Sequence, residues 1–134
     1  MSKEEQTGWR DRALSERHRL YGAQCPAVDI DCLWVEYDRA YPVALIEHKR
    51  QTAAVVDLLN PSYRAICSLA TEANKPFFEV RYARDFSWWV VTPLNHAAHG
   101  VLPERTSFTE VGYVKFLYRL RDREVPREVL DAIS

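Results

Sequence analysis

The segment that most constrains the fold is the eight-residue run from 42 to 49, PVALIEHK. Its apolar residues are consecutive, which is typical of a strand that is buried on both faces of a sheet. Glu47 interrupts this run and Lys49 follows two positions later. Because side chains alternate along a strand, Glu47 and Lys49 share a face with Leu45. The segment therefore predicts a core strand that carries two charged groups near its end.

A second strand is predicted just before this one. Residues 28 to 37, VDIDCLWVEY, are rich in β-branched and aromatic side chains, and residues 38 to 40 can form a tight turn. A hairpin about this turn pairs 37 with 41, 35 with 43, 33 with 45, 31 with 47 and 29 with 49. Asp31 then lies opposite Glu47, with the two Cβ atoms about 5 Å apart.

Two carboxylates at this separation repel each other unless a cation lies between them. Mg²⁺, or Mn²⁺ in its place, is the expected ion because it takes oxygen ligands and keeps waters for chemistry. Lys49 could either help to deprotonate an attacking water or stabilise charge that develops on a phosphate. Asp29 lies on the same face as Asp31 and is either a second carboxylate of the site or a partner for Lys49. A salt-bridged patch on an exposed sheet face is the alternative, but the apolar neighbours of both acids favour a site.

The remaining patterns predict one α+β domain over residues 1–134, with a central mixed sheet of about four to five strands flanked by helices. Its core spans about residues 9–95, a C-terminal helical segment spans about 107–132, and residues 95–100 are expected to form a polar loop. The other predicted elements are helices over 9–21, 51–60, from Pro61 to about Asn74 and from after Thr109 to about Arg121, and strands over 76–83 and 86–94.

Composition excludes several classes of protein. Eighteen Lys and Arg residues against nineteen Asp and Glu residues give a net charge of −1, which is unlike a strongly basic DNA-binding domain. The three cysteines form no zinc-binding or disulfide pattern. No apolar run reaches about 18 residues and the N-terminus is polar, so a cytoplasmic protein with no membrane segment is expected.

The residues DID and ALIEHK, at 29–31 and 44–49, resemble the PD-(D/E)XK nuclease superfamily, whose sites carry an Asp on one strand and Glu-x-Lys on the next. The order of elements over about residues 9–95 is similar to that of archaeal Holliday-junction resolvases and related small phage nucleases. The sequence departs from the family pattern in having Ile30, rather than proline, before Asp31. The resemblance implies a restriction-endonuclease-like core.

The resemblance also implies an activity and roles for particular residues. Asp31 and Glu47 would bind Mg²⁺, the backbone carbonyl of His48 would complete the ligand set, and Lys49 would be the catalytic lysine. Glu16 would match a glutamate of the first helix. The implied activity is hydrolysis of DNA, branched or otherwise structured DNA included, by a protein that could form a homodimer. An interface could use Trp34, Tyr113, Phe116 or Tyr118, although each is equally suited to the core.

Glu16 has two interpretations. It is either a solvated helix residue or, because it shares a helical face with Trp9, Ala13 and Leu20, a carboxylate that points inward.

Residues near the predicted site could contact the nucleic acid. Arg50, Arg81 and Arg84 could bind a DNA backbone, and Gln51 could bind a phosphate or a metal-bound water, although scattered surface side chains are the equally suitable alternative. RNA is not excluded as a substrate. The alternative function is a catalytically silent module of the same fold that binds DNA or a protein partner in a phage or defence context.

Overall fold

The computed structural model describes residues 12–24, 26–54 and 57–134. These residues form an α+β fold in which helices flank a single mixed sheet of five strands, in the spatial order of the sequence. The predicted fold class is therefore confirmed. The strands are β1 (Cys32–Glu36), β2 (Tyr41–Arg50), β3 (Phe77–Tyr82), β4 (Trp89–Pro93) and β5 (Thr106–Phe108). The helices are α1 (Arg12–Arg19), α2 (Pro61–Glu72), α3 (His96–Val101), α4 (Glu110–Leu120) and α5 (Arg127–Ile133), with a short 3₁₀ turn at Tyr37–Arg39.

The predicted hairpin is present as the antiparallel pair β1 and β2, and its central register is confirmed, since Leu33 pairs with Leu45. Nearer the turn the predicted pairs 35 with 43 and 37 with 41 are wrong. The register shifts after Trp34, so that Val35 pairs with Pro42. Proline has no N–H to donate to a ladder, and it lies here beside a bulge, where strands tolerate it. The strand β1 also begins at residue 32 rather than 28.

The middle of the chain crosses over the sheet. Strand β3 pairs with β2 in parallel, and α2 forms part of the connection. Asn60 caps this helix by accepting a hydrogen bond from the N–H of Ser62, and Pro61 begins it. The helix predicted for 51–60 is wrong in its described part, because residues 51–54 and 57–60 form turns.

Two elements near the C-terminus differ from the sequence prediction. Residues 95–100 were expected to form a loop, but Asn95 caps α3 by accepting a hydrogen bond from the N–H of Ala98. Residues 106–108 were expected only to precede the last long helix, but they form the edge strand β5 against β4. Thr109 then caps α4 through the N–H of Gly112, as the predicted helix start requires.

The sheet has a hydrophobic core on each face. On one face Leu45 and Phe77 pack against Ile66 and Ala70 of α2. The other face packs against α3 and α4, and its buried residues are Ala44, Ile46, Phe78, Val80, Val91, Ala98, Tyr113, Phe116 and Leu117. Because Tyr113 and Phe116 are buried here, they belong to the core rather than to a dimer interface. Trp34 is half-buried and donates its indole N–H to the carbonyl of Leu117 at 3.0 Å.

Candidate active site

The predicted carboxylates lie at the end of the sheet where β1 begins and β2 ends. Asp31 directly precedes β1, and its Oδ2 accepts a hydrogen bond of 2.8 Å from the backbone N–H of His48. The same oxygen lies 3.3 Å from Nδ1 of the His48 ring. The aspartate side chain thus takes the place of a backbone partner that β1 no longer provides. Asp31 is thereby fixed to the strand segment that carries Glu47 and Lys49.

The carbonyl of His48 faces the same edge as this N–H. In an antiparallel ladder the N–H and C=O of one residue point to the same side of the strand. Within the described residues the ladder between β1 and β2 ends at the pair of Cys32 and Ile46, so His48 lies beyond it. The oxygen of His48 is therefore directed to the edge at which Asp31 lies.

Glu47 is the more buried of the two carboxylates, with its side chain 14% exposed. Burial raises the pKa of Glu47, and the negative charge of Asp31 raises it further, against the opposing effect of Lys49. The hydrogen bond from His48 lowers the pKa of Asp31 despite its partial burial. The fold therefore holds two carboxylates close enough to disfavour the ionisation of one of them.

Lys49 is held between a phenol and a carboxylate. Its Nζ donates to Oη of Tyr63 at 2.5 Å and lies 3.6 Å from Oε2 of Glu47. The hydrogen bond to Tyr63 is the main cause that raises the pKa of Lys49, and Glu47 adds to it. A lysine whose pKa is raised stays cationic at neutral pH, so it is suited to stabilising negative charge rather than to removing a proton.

Tyr63 also belongs to this site, although the sequence alone did not point to it. Its position in the helix after β2 indicated only a packing face, because helical periodicity does not show which strand residue a side chain will meet. The face of β2 could have indicated this contact. Lys49 shares that face with Leu45, and Leu45 packs against the helix that carries Tyr63.

A second acid and base pair lies on the neighbouring strand. The parallel register places Glu79 beside Glu47 and Arg81 beside Lys49. Arg81 and Glu79 form an ion pair with a distance of 3.4 Å, and both side chains are largely buried. This pair continues the polar row of the site across one face of the sheet.

The guanidinium of Arg81 is occupied by the segment that follows β2. It donates to the carbonyl oxygens of Arg50, Ala53 and Ala54 at 3.2, 2.6 and 3.2 Å. Protein carbonyls already hold the donors of Arg81, so a contact between Arg81 and a DNA backbone would have to displace them and stays a prediction. Its role here is to fix the chain just beyond the site.

The other predicted contacts with nucleic acid lie near the same end of the sheet. Gln51 accepts a hydrogen bond of 3.0 Å from the backbone N–H of Arg84, which joins the end of β2 to the turn between β3 and β4. The side-chain oxygen of Gln51 is thus used within the fold. Arg50 and Arg84 are exposed, as a contact with phosphate requires.

Glu16 and Asp29 are both exposed side chains. Glu16 forms an exposed ion pair with Arg12 at 3.3 Å, and none of the residues of α1 is buried. Ala13 and Leu20 are also exposed, so of the two interpretations of Glu16 the solvated helix residue is the one confirmed, while Trp9 lies outside the described residues. The helical face was amphipathic in sequence, but no part of the described sheet covers it. Asp29 is exposed in the segment before β1.

The oxygen ligands available at this edge are few. Within the described ranges, no group of three or more His, Cys, Asp and Glu side chains is placed to hold a metal ion. The oxygen groups at this edge are the carboxylates of Asp31 and Glu47 and the carbonyl of His48. This hard oxygen set fits Mg²⁺, which commonly takes one or two protein carboxylates and completes its shell with water and phosphate oxygens.

Comparison of the chain with models of known protein families, with characterised proteins and with solved structures gave no match. Across the described ranges, none of the helices has the length and apolar character needed to cross a membrane. Function is therefore inferred from the geometry of the site itself.

Proposed function

We propose that the chain is a Mg²⁺-dependent nuclease that hydrolyses phosphodiester bonds in DNA, branched or structured DNA included. The observation that carries this proposal is the 2.8 Å hydrogen bond from the N–H of His48 to Asp31. It fixes an aspartate beside the strand that presents Glu47 and Lys49. Two acids and a lysine in this arrangement are suited to metal-assisted phosphodiester chemistry.

Asp31, Glu47 and the carbonyl of His48 are the groups that would hold the ion. When bound, Mg²⁺ supplies a Lewis acid for the scissile phosphate and lowers the pKa of a water ligand. Burial, and then the negative charge of Asp31, raise the pKa of Glu47, and a cation beside the two carboxylates would oppose both effects, which supports this assignment. Asp31 must remain ionised for this role, and its lowered pKa favours that state.

Lys49 acts on the substrate through its charge. Its ammonium group stays protonated at neutral pH and can neutralise an oxygen on the phosphate as negative charge develops there. Tyr63 holds the ammonium group in place, and Glu47 keeps it beside the carboxylate pair. Arg50 and Arg84, both exposed at the same end of the sheet, would contact the flanking backbone.

The test is cleavage of labelled single-stranded, duplex and four-way-junction DNA, and of RNA, with Mg²⁺, Mn²⁺ or EDTA. We expect products from DNA in either metal and none in EDTA. Glu47→Gln and Lys49→Met should each abolish cleavage, whereas Glu104→Gln, at an exposed glutamate outside the site, should not. The absence of a metal-dependent product on every substrate would refute the enzyme proposal.

A second function is favoured by one observation, namely that His48 already donates its backbone N–H to Asp31 and places its ring Nδ1 3.3 Å from the same oxygen. A carboxylate satisfied in this way could be purely structural, in a catalytically silent module that binds DNA or a protein partner in a phage or defence context. The two proposals differ in their response to metal. Binding by the silent module should be the same in Mg²⁺ and in EDTA, and unaffected by Glu47→Gln.

The proposed cellular setting follows from the proposed substrate. We place the protein in the cytoplasm of a prokaryote or of a phage-infected cell, where it would meet DNA. A homodimer stays a prediction, and any interface would use surfaces other than the buried Tyr113 and Phe116. The elution volume and light scattering of the purified protein would show its oligomeric state directly.

A further inference from the structure

A stack of aromatic rings lies at the same end of the sheet as the candidate site. The ring of Phe86, in the turn between β3 and β4, lies nearly parallel to the rings of Tyr82 and Trp89, with centroid distances of 5.9 and 5.8 Å and interplanar angles of 23° and 18°. Trp89 in turn stacks on Tyr113 at 4.5 Å and 7°. Tyr82 and Trp89 also contact each other, with centroids 5.4 Å apart and an interplanar angle of 30°, so the stack is a cluster of rings rather than a single column, and Phe86 is its most exposed member.

The ring of Phe86 is exposed and its backbone is strained. Phe86 is 48% exposed, whereas Tyr113 at the base of the stack is buried. Its φ of 63° lies in the left-handed region, which bulky residues rarely adopt. Strained backbone of this kind persists only where the surrounding structure imposes it, and it is frequent at binding sites.

Hydrogen bonds hold the turn in this conformation. The N–H of Phe86 donates to the carbonyl of Ala83 at 2.9 Å, and the indole N–H of Trp89 donates to the carbonyl of Phe86 at 3.1 Å. Asp85 accepts from the N–H of Ser87 at 3.1 Å. The exposed ring is therefore presented in a fixed orientation, so a ligand that stacks on it loses little conformational entropy.

The stack is continuous with the candidate site. The ring of Tyr82 lies 6.5 Å from the ring of His48, which holds Asp31. The N–H of Arg84, two residues before Phe86, donates to Gln51 at the end of β2. One path of ring contacts, from His48 through Tyr82 to Phe86, thus links Asp31 to the exposed ring.

We infer that Phe86 is a stacking platform for an unpaired nucleobase of the substrate strand, an inference that rests on the proposed nuclease function. Its ring is 48% exposed, so one more planar group can stack on it, and every nucleobase offers a planar face. The exposed cation of Arg84 beside it fits the phosphate of the same strand. Bases inside a duplex have their faces covered by their neighbours, so the platform selects single-stranded segments, flaps or frayed ends.

The test is equilibrium binding, by fluorescence anisotropy in EDTA, of labelled oligothymidylate, oligouridylate and an abasic strand, each about 12 nucleotides long, and of a duplex of that length. Wild-type protein should bind oligothymidylate more tightly than the abasic strand and the duplex. Phe86→Leu should weaken its binding of oligothymidylate by about 5- to 150-fold, and Phe86→Trp should preserve it. Oligouridylate binding with the same dependence on Phe86 also supports the platform and extends it to RNA.

The matched control is Tyr37→Leu, which removes another exposed ring, 84% exposed, at the β1–β2 turn. It should leave binding unchanged. Equal wild-type affinity for oligothymidylate and the abasic strand would overturn the inference, and this comparison needs no variant to fold. Unchanged binding by a folded Phe86→Leu variant would overturn it equally. The assay contains no metal, so it tests stacking on Phe86 separately from cleavage. A protein that cuts no DNA can still show the expected binding, and an active nuclease can still lack it.

Discussion

At the scale of single residues, the site combines a carboxylate that resists ionisation with a lysine that stays charged. Glu47 is held in a largely buried position beside Asp31, which raises its pKa, while Lys49 is held in its cationic form. An acid whose pKa is raised in the folded state destabilises the fold once it ionises. The arrangement is therefore costly to the fold at neutral pH, and under the proposed function a bound cation would reduce that cost.

Glu47→Gln should therefore stabilise the protein in EDTA at pH 7, raising the Tm by a few degrees, because it removes a buried carboxylate near Asp31. The raised pKa of Glu47 determines the direction in which stability changes with pH. Wild-type stability is fully present below the ordinary value of 4.5 and falls as the pH rises through the folded pKa. The advantage of the variant should thus vanish in thermal melts below about pH 4.5.

Added Mg²⁺ should favour the wild type over the Glu47→Gln variant in the same thermal melts. It should raise the Tm of the wild type, since an ion that binds only the folded state stabilises it, and should raise that of Glu47→Gln much less. An equal Mg²⁺ response in both proteins would show that Glu47 is not a ligand.

Tyr63→Phe removes the hydroxyl that holds Lys49 and that is the main cause of its raised pKa. Cleavage at neutral pH should fall by about 2- to 10-fold, the effect of one hydrogen bond. The alkaline limb of the pH–rate profile should also move to lower pH, because Lys49 would lose its proton earlier. The profile of kcat against pH measures both effects.

Tyr41→Phe provides the control for this change. Tyr41 forms the same kind of pair with Lys75, at 2.6 Å, at the start of β2. Its replacement should leave the pH–rate profile unaltered. If Tyr63→Phe behaved in the same way, the hydroxyl would have no part in positioning Lys49 for catalysis.

At the scale of elements, Arg81 fastens the segment after β2 to β3. Its side chain is 11% exposed, and it pairs with Glu79 while donating to three backbone carbonyls. The polar groups of that segment would otherwise lack these partners, and leaving such groups unpaired is costly. The clamp fixes where β2 ends and thus where Lys49 projects.

Arg81→Ala should therefore lower the free energy of unfolding by about 2–4 kcal/mol, because it leaves the buried Glu79 without this partner and three carbonyls without their donor. Urea denaturation measures the loss. Arg84→Ala, at an exposed arginine nearby, should change stability by no more than about 0.5 kcal/mol. A stable Arg81→Ala protein with weakened DNA binding would instead support a contact between Arg81 and phosphate.

The elements also show what the sequence could predict about the site. Alternation along β2 correctly placed Glu47 and Lys49 on the face of Leu45, since strand geometry leaves no other choice. The cross-strand pairing of Asp31 followed from the central register, yet Asp31 lies just outside the ladder, bound through its side chain to His48. Ladder rules cannot predict a side chain that replaces a backbone partner.

Other features of the structure could not be predicted from the sequence, each for a separate physical reason. The strand β5 has three residues, too few to show an alternating pattern. The shifted register near the turn depends on Pro42 and on the left-handed Ala40, which are local effects that hydrophobic pairing ignores. For Glu16 the sequence left a solvated and an inward-facing position open, because helical periodicity predicts a face and not whether anything covers it.

At the scale of the whole molecule, a buried glutamate joins the hairpin to the C-terminal part of the chain. Glu36, at the end of β1, is fully buried and lies 3.3 Å from Arg121 and 2.7 Å from Arg123, just after α4. Burial raises the pKa of Glu36, but the two guanidinium groups outweigh burial and leave the pKa below its usual value. The contact joins the end of β1 to the segment that follows α4.

Glu36→Gln should lower the Tm at pH 7, because it removes a charge that two arginines neutralise. The lowered pKa means that this stability is present above the ordinary value of 4.5 and is lost as the pH falls through the folded pKa. The difference between the two proteins in thermal melts should therefore shrink in acid. Asp38→Asn, at an exposed partner of Arg123, should change the Tm much less, and an equal loss in both variants would contradict the role of Glu36.

The central claim, that Asp31 and Glu47 together hold the ion for DNA hydrolysis, is tested most directly by the rate of DNA cleavage as Mg²⁺ is titrated. Wild-type protein should show a rate that saturates with Mg²⁺ and disappears in EDTA. Asp31→Asn keeps an acceptor for the N–H of His48, so it should fold, but its rate should fall by about 100-fold or more because the ligand charge is lost. Cleavage that is equally fast in Asp31→Asn, or no cleavage by the wild type at any Mg²⁺ concentration, would contradict it.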